Sequence, residues 1–195
     1  MKRFEIELTG VTPMIQNRMP AEVLEGIRLK TKKKYTAPKD PREDAATKVH
    51  VHEQSGEPIV TVDALMACLI AAGQYIKLDG KRQMSTKSST LLPGFVTIEQ
   101  NHLPLMNGQG PATWEVDVRQ GRNPNGGEAV CLVRPRFDHW RVKLTMILDT
   151  DSLSEDLYRE LVDIAGTRIG LYEFRPARKG IYGKFKVTHW QEVSE

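Results

Sequence analysis

The stretch Trp140–Leu148, WRVKLTMIL, constrains the fold more than any other part of the chain. Trp140, Val142, Leu144, Met146 and Leu148 fall on one side; Arg141, Lys143 and Thr145 fall on the other. Successive side chains of a strand point to opposite faces, so this period of two predicts a strand with one dry and one wet face. Just beyond it, Ser152-x-x-Glu155 reads as a capping box. It opens a helix with Leu157, Leu161, Ile164 and Ala165 on one stripe, and Gly166 stands where a left-handed cap is expected. A half-buried strand feeding an amphipathic helix is half of a split β-α-β unit, and the other half lies upstream. Residues 3–9 alternate in the same way, with Phe4, Ile6 and Leu8 opposite Arg3, Glu5, Glu7 and Thr9, and stop at Gly10. Thr61 or Asp63 caps a helix with Leu65, Met66, Cys68, Leu69, Ile70 and Ala72, ended by Gly73 or by Asp79-Gly80. Residues 94–99 read as a second strand, and a last strand is expected near 184–190.

The resulting order is strand, helix, strand, hairpin, strand, helix, strand. It predicts an α+β fold: a ferredoxin-like (RRM-like) βαββαβ core whose antiparallel sheet carries two helices on one face. The 195 residues are expected to form a single domain with two elaborations. Residues 17–58 look irregular, with Pro20, Pro38, Pro41 and Pro58; within them 18–56 read as an irregular basic insert, a long basic loop, and VHVH at 49–52 as a short edge strand. Residues 112–134 read as a protruding hairpin, its loose tip at Gln120–Gly127. Trypsin is expected to cut first near Lys30–Lys34 or Arg119–Arg122, because neither segment has an apolar face to dock.

At 39% hydrophobic and 27% charged residues, the composition excludes global disorder. No apolar run approaches the ~20 residues of a membrane span, and the opening MKRFEIELTG has no signal-like apolar core. Cys68 and Cys131, both in apolar context, are too few for a disulfide framework. The expected setting is the reduced interior of the cytoplasm. Net charge is only +3, but its distribution is uneven. Residues 28–34 hold five cations and no anion. Residues 168–186 hold Arg168, Arg175, Arg178, Lys179, Lys184 and Lys186 against Glu173 alone, while 149–163 are acidic. Segregated charge of this kind gives a basic and an acidic side.

His50-x-His52 projects two imidazoles to one side of a strand, but no third ligand stands at a suitable spacing, so no metal and no cofactor are expected. There is no nucleophile elbow and no Cys–His signature, and no catalytic residue is assigned. The glycines at 166, 170, 180 and 183 match no nucleotide-binding fingerprint, yet they permit close backbone approach. Interleaved cations offer phosphate pairing, and Tyr172, Phe174 and Tyr182 offer stacking surfaces. Arg175 precedes Pro176, which predicts an extended segment able to follow a phosphate chain. On the open face of the sheet, Glu5 and Glu7 are expected to pair across strands with Arg141, Lys143, Lys184 and Lys186, so loops and hairpin are the better nucleic-acid contacts. The candidate contacts are Arg168, Arg175, Arg178, Lys179, Lys184 and Tyr182 in the C-terminal loop, Lys81, Arg82 and Lys87 after the first core helix, and Arg119 and Arg122 in the hairpin.

Two stretches carry a family resemblance: FEIELTGVTPMIQN, and RPRFDHWRVKLTMIL followed by LVDIAGTRIGLYEFRPARKGIYGKF. They are similar to phage and bacterial proteins with the pattern TPLLMHN … RPRF … AG-x-x-IG … RP … G-x-(F/Y)G-(R/K)F. These resemble the RAMP superfamily, in particular the backbone subunits of CRISPR effector complexes. IVTVDALMACLIAAG fits the first helix of that family, and 18–56 and 100–128 are unmatched. The resemblance implies a ferredoxin-like core, a thumb hairpin at Gly121–Gly127 and a glycine-rich loop at Gly180 and Gly183. It also implies binding of single-stranded RNA or DNA without cleavage, with assembly into a homo-oligomer or filament along the strand. Two other readings stand beside it: a metal-independent endoribonuclease, and a structural or interaction protein with no nucleic-acid role.

Overall fold

The computed structural model describes residues 1–31, 36–123 and 126–193; Lys32–Lys34 of the basic run and Pro124 and Asn125 of the hairpin tip lie outside them. The first half contains β1 (Lys2–Gly10), β2 (Met14–Ile15), α1 (Ala21–Arg28), α2 (Pro41–Ala46), β3 (Ile59–Thr61), α3 (Val62–Ala72), β4 (Lys77–Leu78) and β5 (Arg82–Gln83). The second contains β6 (Val96–Ile98), β7 (His102–Asn107), β8 (Gly110–Pro111), β9 (Glu115–Arg122), β10 (Ala129–Phe137), β11 (Arg141–Leu148), α4 (Glu155–Ile164) and β12 (Phe185–Val193).

The main sheet runs β12-β1-β11-β7-β3, with β6 also beside β11 and β8 beside β7. Reduced to its core, the order is last strand, first, third, second, all antiparallel, which is the ferredoxin-like arrangement. Register explains which face is dry. Phe4 stands opposite Met146, Ile6 opposite Leu144 and Leu8 opposite Val142, so both alternating sets share one surface. Leu65, Leu69 and Ala72 of α3 and Tyr158, Leu161 and Val162 of α4 bury themselves on it. Each large apolar side chain fully buried there contributes about 1.5–3 kcal/mol. On the other face Glu7 pairs with Arg141 (3.8 Å) and Lys143 (3.7 Å), the expected cross-strand neutralisation. Lys184 lies just before β12 and so outside the sheet.

Several local expectations change. The second core strand is split into β6 and β7, because the chain turns at Gln100–Asn101 and pairs with β11 twice. The insert is not wholly irregular. Asp40 accepts from the Arg42 N–H (2.8 Å) and Pro41 sits at the first helical position, together starting α2. The VHVH edge reduces to a single bridge between Val51 and Pro58. The cap of α4 is Ser154, whose Oγ accepts from the Leu157 N–H (3.3 Å), while Ser152 bonds Asp149 instead. Gly166 does not end that helix. The chain continues through a wide turn, Ala165–Ile169, to Gly170 at φ 74°. Gly166 is required for a different reason, since a Cβ there would run into the Phe185 carbonyl oxygen of β12. Cys68 is buried, but Cys131 is exposed. The hairpin is more than a ribbon: β2 adds a third strand at its base, in the order β2-β10-β9, and α2 packs on it.

Candidate nucleic-acid interface

The glycine-rich connection from the Ala165–Ile169 turn to β12 is a folded loop, not an extended track. Leu171 is fully buried, its N–H donates to the Gly183 carbonyl (2.9 Å), and the Gly183 N–H donates to that of Pro13 (2.8 Å). Between these ties the backbone doubles back. Tyr172 and Phe174 hold φ of 59° and 51°, values that bulky residues rarely adopt and that cost about 1–3 kcal/mol each. The surroundings repay this. The Tyr172 hydroxyl accepts from the Thr61 N–H (3.0 Å), its ring rests on His50 at 5.2 Å, and burial pushes its phenol up. Burial, with the Arg18 charge adding to it, holds the His50 imidazole below its ordinary value. Arg175 itself is extended, as the Pro176 that follows demands. After it, Pro176–Arg178 form a single tight turn and Lys179 is left-handed. Gly180 passes so close to the Phe174 carbonyl oxygen that no Cβ fits.

The underside of the loop is bonded to the hairpin. The Glu173 N–H donates to the Ile15 carbonyl (3.1 Å), and its carboxylate accepts from Asn17 (2.7 Å) and Arg134 Nε (3.1 Å). Arg119 of β9 reaches across with its guanidinium 4.6 Å from the Phe174 ring centre and 4.9 Å from that of Tyr182. Its Nε and Nη2 donate to the buried Asp117 carboxylate at 2.5 and 2.6 Å, and Nη2 also donates to the Tyr182 hydroxyl at 3.2 Å. These bonds, those to Asp117 first, raise the Arg119 guanidinium still further above its ordinary value, so the latch carries a permanent charge. Arg136 lies 3.6 Å from Asp117 and pairs with Asp138 at 2.6 Å, which holds the Asp138 carboxyl below the usual range.

The sequence-derived residues therefore divide. Arg119, Tyr182 and Arg175, whose Nη1 donates to the Tyr172 carbonyl (2.6 Å), form the support of the loop. Arg178 and Lys179 are exposed at its tip, and neither makes an ion pair among the described residues. Lys184 is half-buried, its N–H donating to the Thr12 hydroxyl (3.0 Å). Arg168 is exposed and lies over Tyr75 at 5.3 Å, just after α3. Gln83 donates to the Gln74 carbonyl (2.9 Å), which brings the β4–β5 hairpin carrying Lys81 and Arg82 to the same end of α3. Lys87 is exposed in the loop that follows, and Arg122 is exposed at the far end of β9. His50 and His52 go to separate neighbours; His52 stacks on His102 at 4.0 Å, and no cluster of three metal-ligating side chains occurs among the described residues. No helix among the described residues is long and apolar enough to cross a membrane.

No family model matches the chain, and no curated protein does. Its fold is similar to that of a chain in the cryo-EM structure of Type III-B Cmr-beta bound to cognate target RNA. The TM-score is 0.52 at 11% identity, over 99% of this chain and 61% of the other. The protein thus spans about three fifths of the length of the chain it matches.

Asp117 was not singled out by the sequence; Glu173 stood out only as the one acid of its segment and Arg134 only as part of the RPRF stretch, neither with a role in supporting the loop. For Asp117 the signal is weak, because an acid two residues before an arginine on a strand is ordinary surface patterning. Gln16 was missed as well. It is fully buried, donating to the Ile59 carbonyl (2.9 Å) and accepting from the His50 N–H (2.8 Å). A lone glutamine after an apolar pair carries no such information.

Proposed function

We propose that this chain is a RAMP-like protein that binds single-stranded nucleic acid, RNA or DNA, without cleaving it, and that copies assemble along the strand. The observation that carries the reading is the C-terminal loop: a strained backbone pinned from beneath, with Arg178 and Lys179 turned outward and uncompensated among the described residues. Arg168 and Lys184 flank it, and Lys81, Arg82 and Lys87 extend the positive surface past α3. The pinned backbone sets where these cations stand, so little main-chain freedom of the loop remains to be lost when they meet phosphates. The fold shared with a chain of an RNA-bound complex supports the same reading. Arg119, Tyr182 and Arg175 act here as positioning residues that hold the loop in shape.

The test is a fluorescence-anisotropy titration with single-stranded RNA and DNA across salt concentrations. Replacing Arg178, Lys179 and Lys184 by Ala should weaken binding similarly for all sequences and flatten the salt slope by about 0.7 for each phosphate that is no longer neutralised. Absence of salt-dependent binding by the unmodified protein at low salt refutes the reading.

A further inference from the structure

β9 is the outermost strand of the three-stranded sheet, and β10 lies along one side of it only. At the tip the Asn123 N–H donates to the Glu128 carbonyl (2.9 Å). Peptide groups alternate in direction along a strand, so Gly121, Arg119 and Asp117 also face β10. Val116, Val118, Gln120 and Arg122 therefore turn their N–H and C=O groups outward, and among the described residues nothing bonds them there. An edge of this kind is a template for another strand, and folded chains ordinarily blunt it. The other edges of this molecule are blunted. β12 carries a bulge between Val187 and His189, where its register against β1 shifts. On β3 the Ile59 carbonyl is taken by Gln16 and the Thr61 N–H by the Tyr172 hydroxyl. The base of β10 is taken by β2 and by Lys48 Nζ. β9 has no proline and no register shift against β10.

The residues of β9 select what can cover this edge. Two antiparallel copies of the strand use most of the outward groups when a two-fold axis passes through Val118 or through Arg119. An axis at Arg119 sets two guanidiniums directly opposite each other, which is unfavourable. An axis at Val118 sets Asp117 of each copy opposite Arg119 of the other, in the narrowly spaced pairs whose side chains come closest. Asp117 and Arg119 already bond within one copy (2.5 Å), so the four charges alternate in sign around the axis. Val118 is 56% exposed, an unusual place for a valine in the middle of a strand, and here it meets its own counterpart. Val116 meets Gln120 of the second copy, and all three residues exchange both N–H and C=O groups. Val133 of β10 stands beside Val118 on the same face, so a row of valines crosses the junction.

We propose that β9 pairs antiparallel with β9 of a second copy of this chain across a two-fold axis at Val118, joining the two hairpins into one continuous sheet. Such a contact uses the same patch on both copies and closes on itself, so it is distinct from stacking along a strand and needs no nucleic acid. The test uses thiols. Cys131→Ser removes the exposed native thiol, and Cys68 is buried with its thiol pushed up to about 12. In that background Val118→Cys places two thiols on the axis, with Cα atoms about 5.5 Å apart, within the span of a disulfide. Gln120→Cys places them about 14 Å apart, beyond it. Under mild oxidation by glutathione disulfide, Val118→Cys should form a covalent dimer at least about tenfold faster than Gln120→Cys, because pairing holds its thiols at a high effective concentration. Sedimentation of the unmodified, nuclease-treated protein should give twice the 22.1 kDa of one chain. Val118→Lys should give a single copy with an unchanged circular-dichroism spectrum. Equal cross-linking at the two positions, a single copy at every concentration, or a dimer that survives Val118→Lys overturns the proposal. Particles that grow past two copies overturn it as well, since this edge closes on itself. No arm contains nucleic acid, so failure here leaves the nucleic-acid reading standing, and failure of the anisotropy titration leaves this contact standing.

Discussion

Replacing Arg119 by Met removes the charge of the latch while keeping most of its length. Removing one partner of a fully buried ion pair costs about 3–5 kcal/mol. Here the Asp117 side chain is 7% exposed and that of Arg119 26%, and Arg136 remains 3.6 Å from Asp117. Partial solvation and the second cation lower the expected cost to about 2–3 kcal/mol. For a chain of this size the melting temperature should fall by about 4–12 °C. The assay is a double-mutant cycle in urea with Asp117→Asn, in which the double variant should recover about 1–2 kcal/mol of the summed losses. Binding gives a second readout with an opposite sign for the rival explanation. If Arg119 touched phosphate directly, Asp117→Asn would free it and tighten binding. If Arg119 holds up the loop that carries Arg178 and Lys179, the same change weakens binding despite deleting a negative charge. Tighter binding, or a coupling below about 0.5 kcal/mol, refutes the latch.

Gln16→Ala should destabilise the protein by roughly 3–5 kcal/mol in urea unfolding, because it orphans the Ile59 carbonyl and the His50 N–H at about 1–3 kcal/mol each and leaves a cavity. A loss below about 1 kcal/mol would mean that neither bond matters. His50 is held below its ordinary 6.5 by burial first and by Arg18 second, so the unfolded chain takes up its proton more readily than the folded one. Its contribution is complete above that ordinary value and is lost as pH falls below it. His50→Gln should therefore flatten the fall in stability seen between about pH 7 and about pH 5, and an unchanged slope contradicts the assignment.

How much of this was legible in the sequence depends on the range of the interactions involved. The alternation at 3–9 and 140–148 and the stripes of α3 and α4 are local patterns, and one exposed face per element is enough to imply the sheet and its two helices. Capping is local too, yet Ser152 and Ser154 both satisfy its rule, and only the path of the chain after β11 selects Ser154. The fate of Gly166 was out of reach, because what excludes a side chain there is the carbonyl of Phe185 in another strand. The basic loop shows the division most clearly. Its composition announced cations, glycines and aromatics together, and those are indeed its materials. Which cations face outward was decided by partners far along the chain: Asp117 and Arg119 on the hairpin, Ile15 in β2, Arg134 on β10. A charge reads the same in sequence whether it meets water or a carboxylate brought to it by folding. That pairing, and the outer edge of β9 left open when β2 takes the other side of β10, exist only once distant strands have been set side by side.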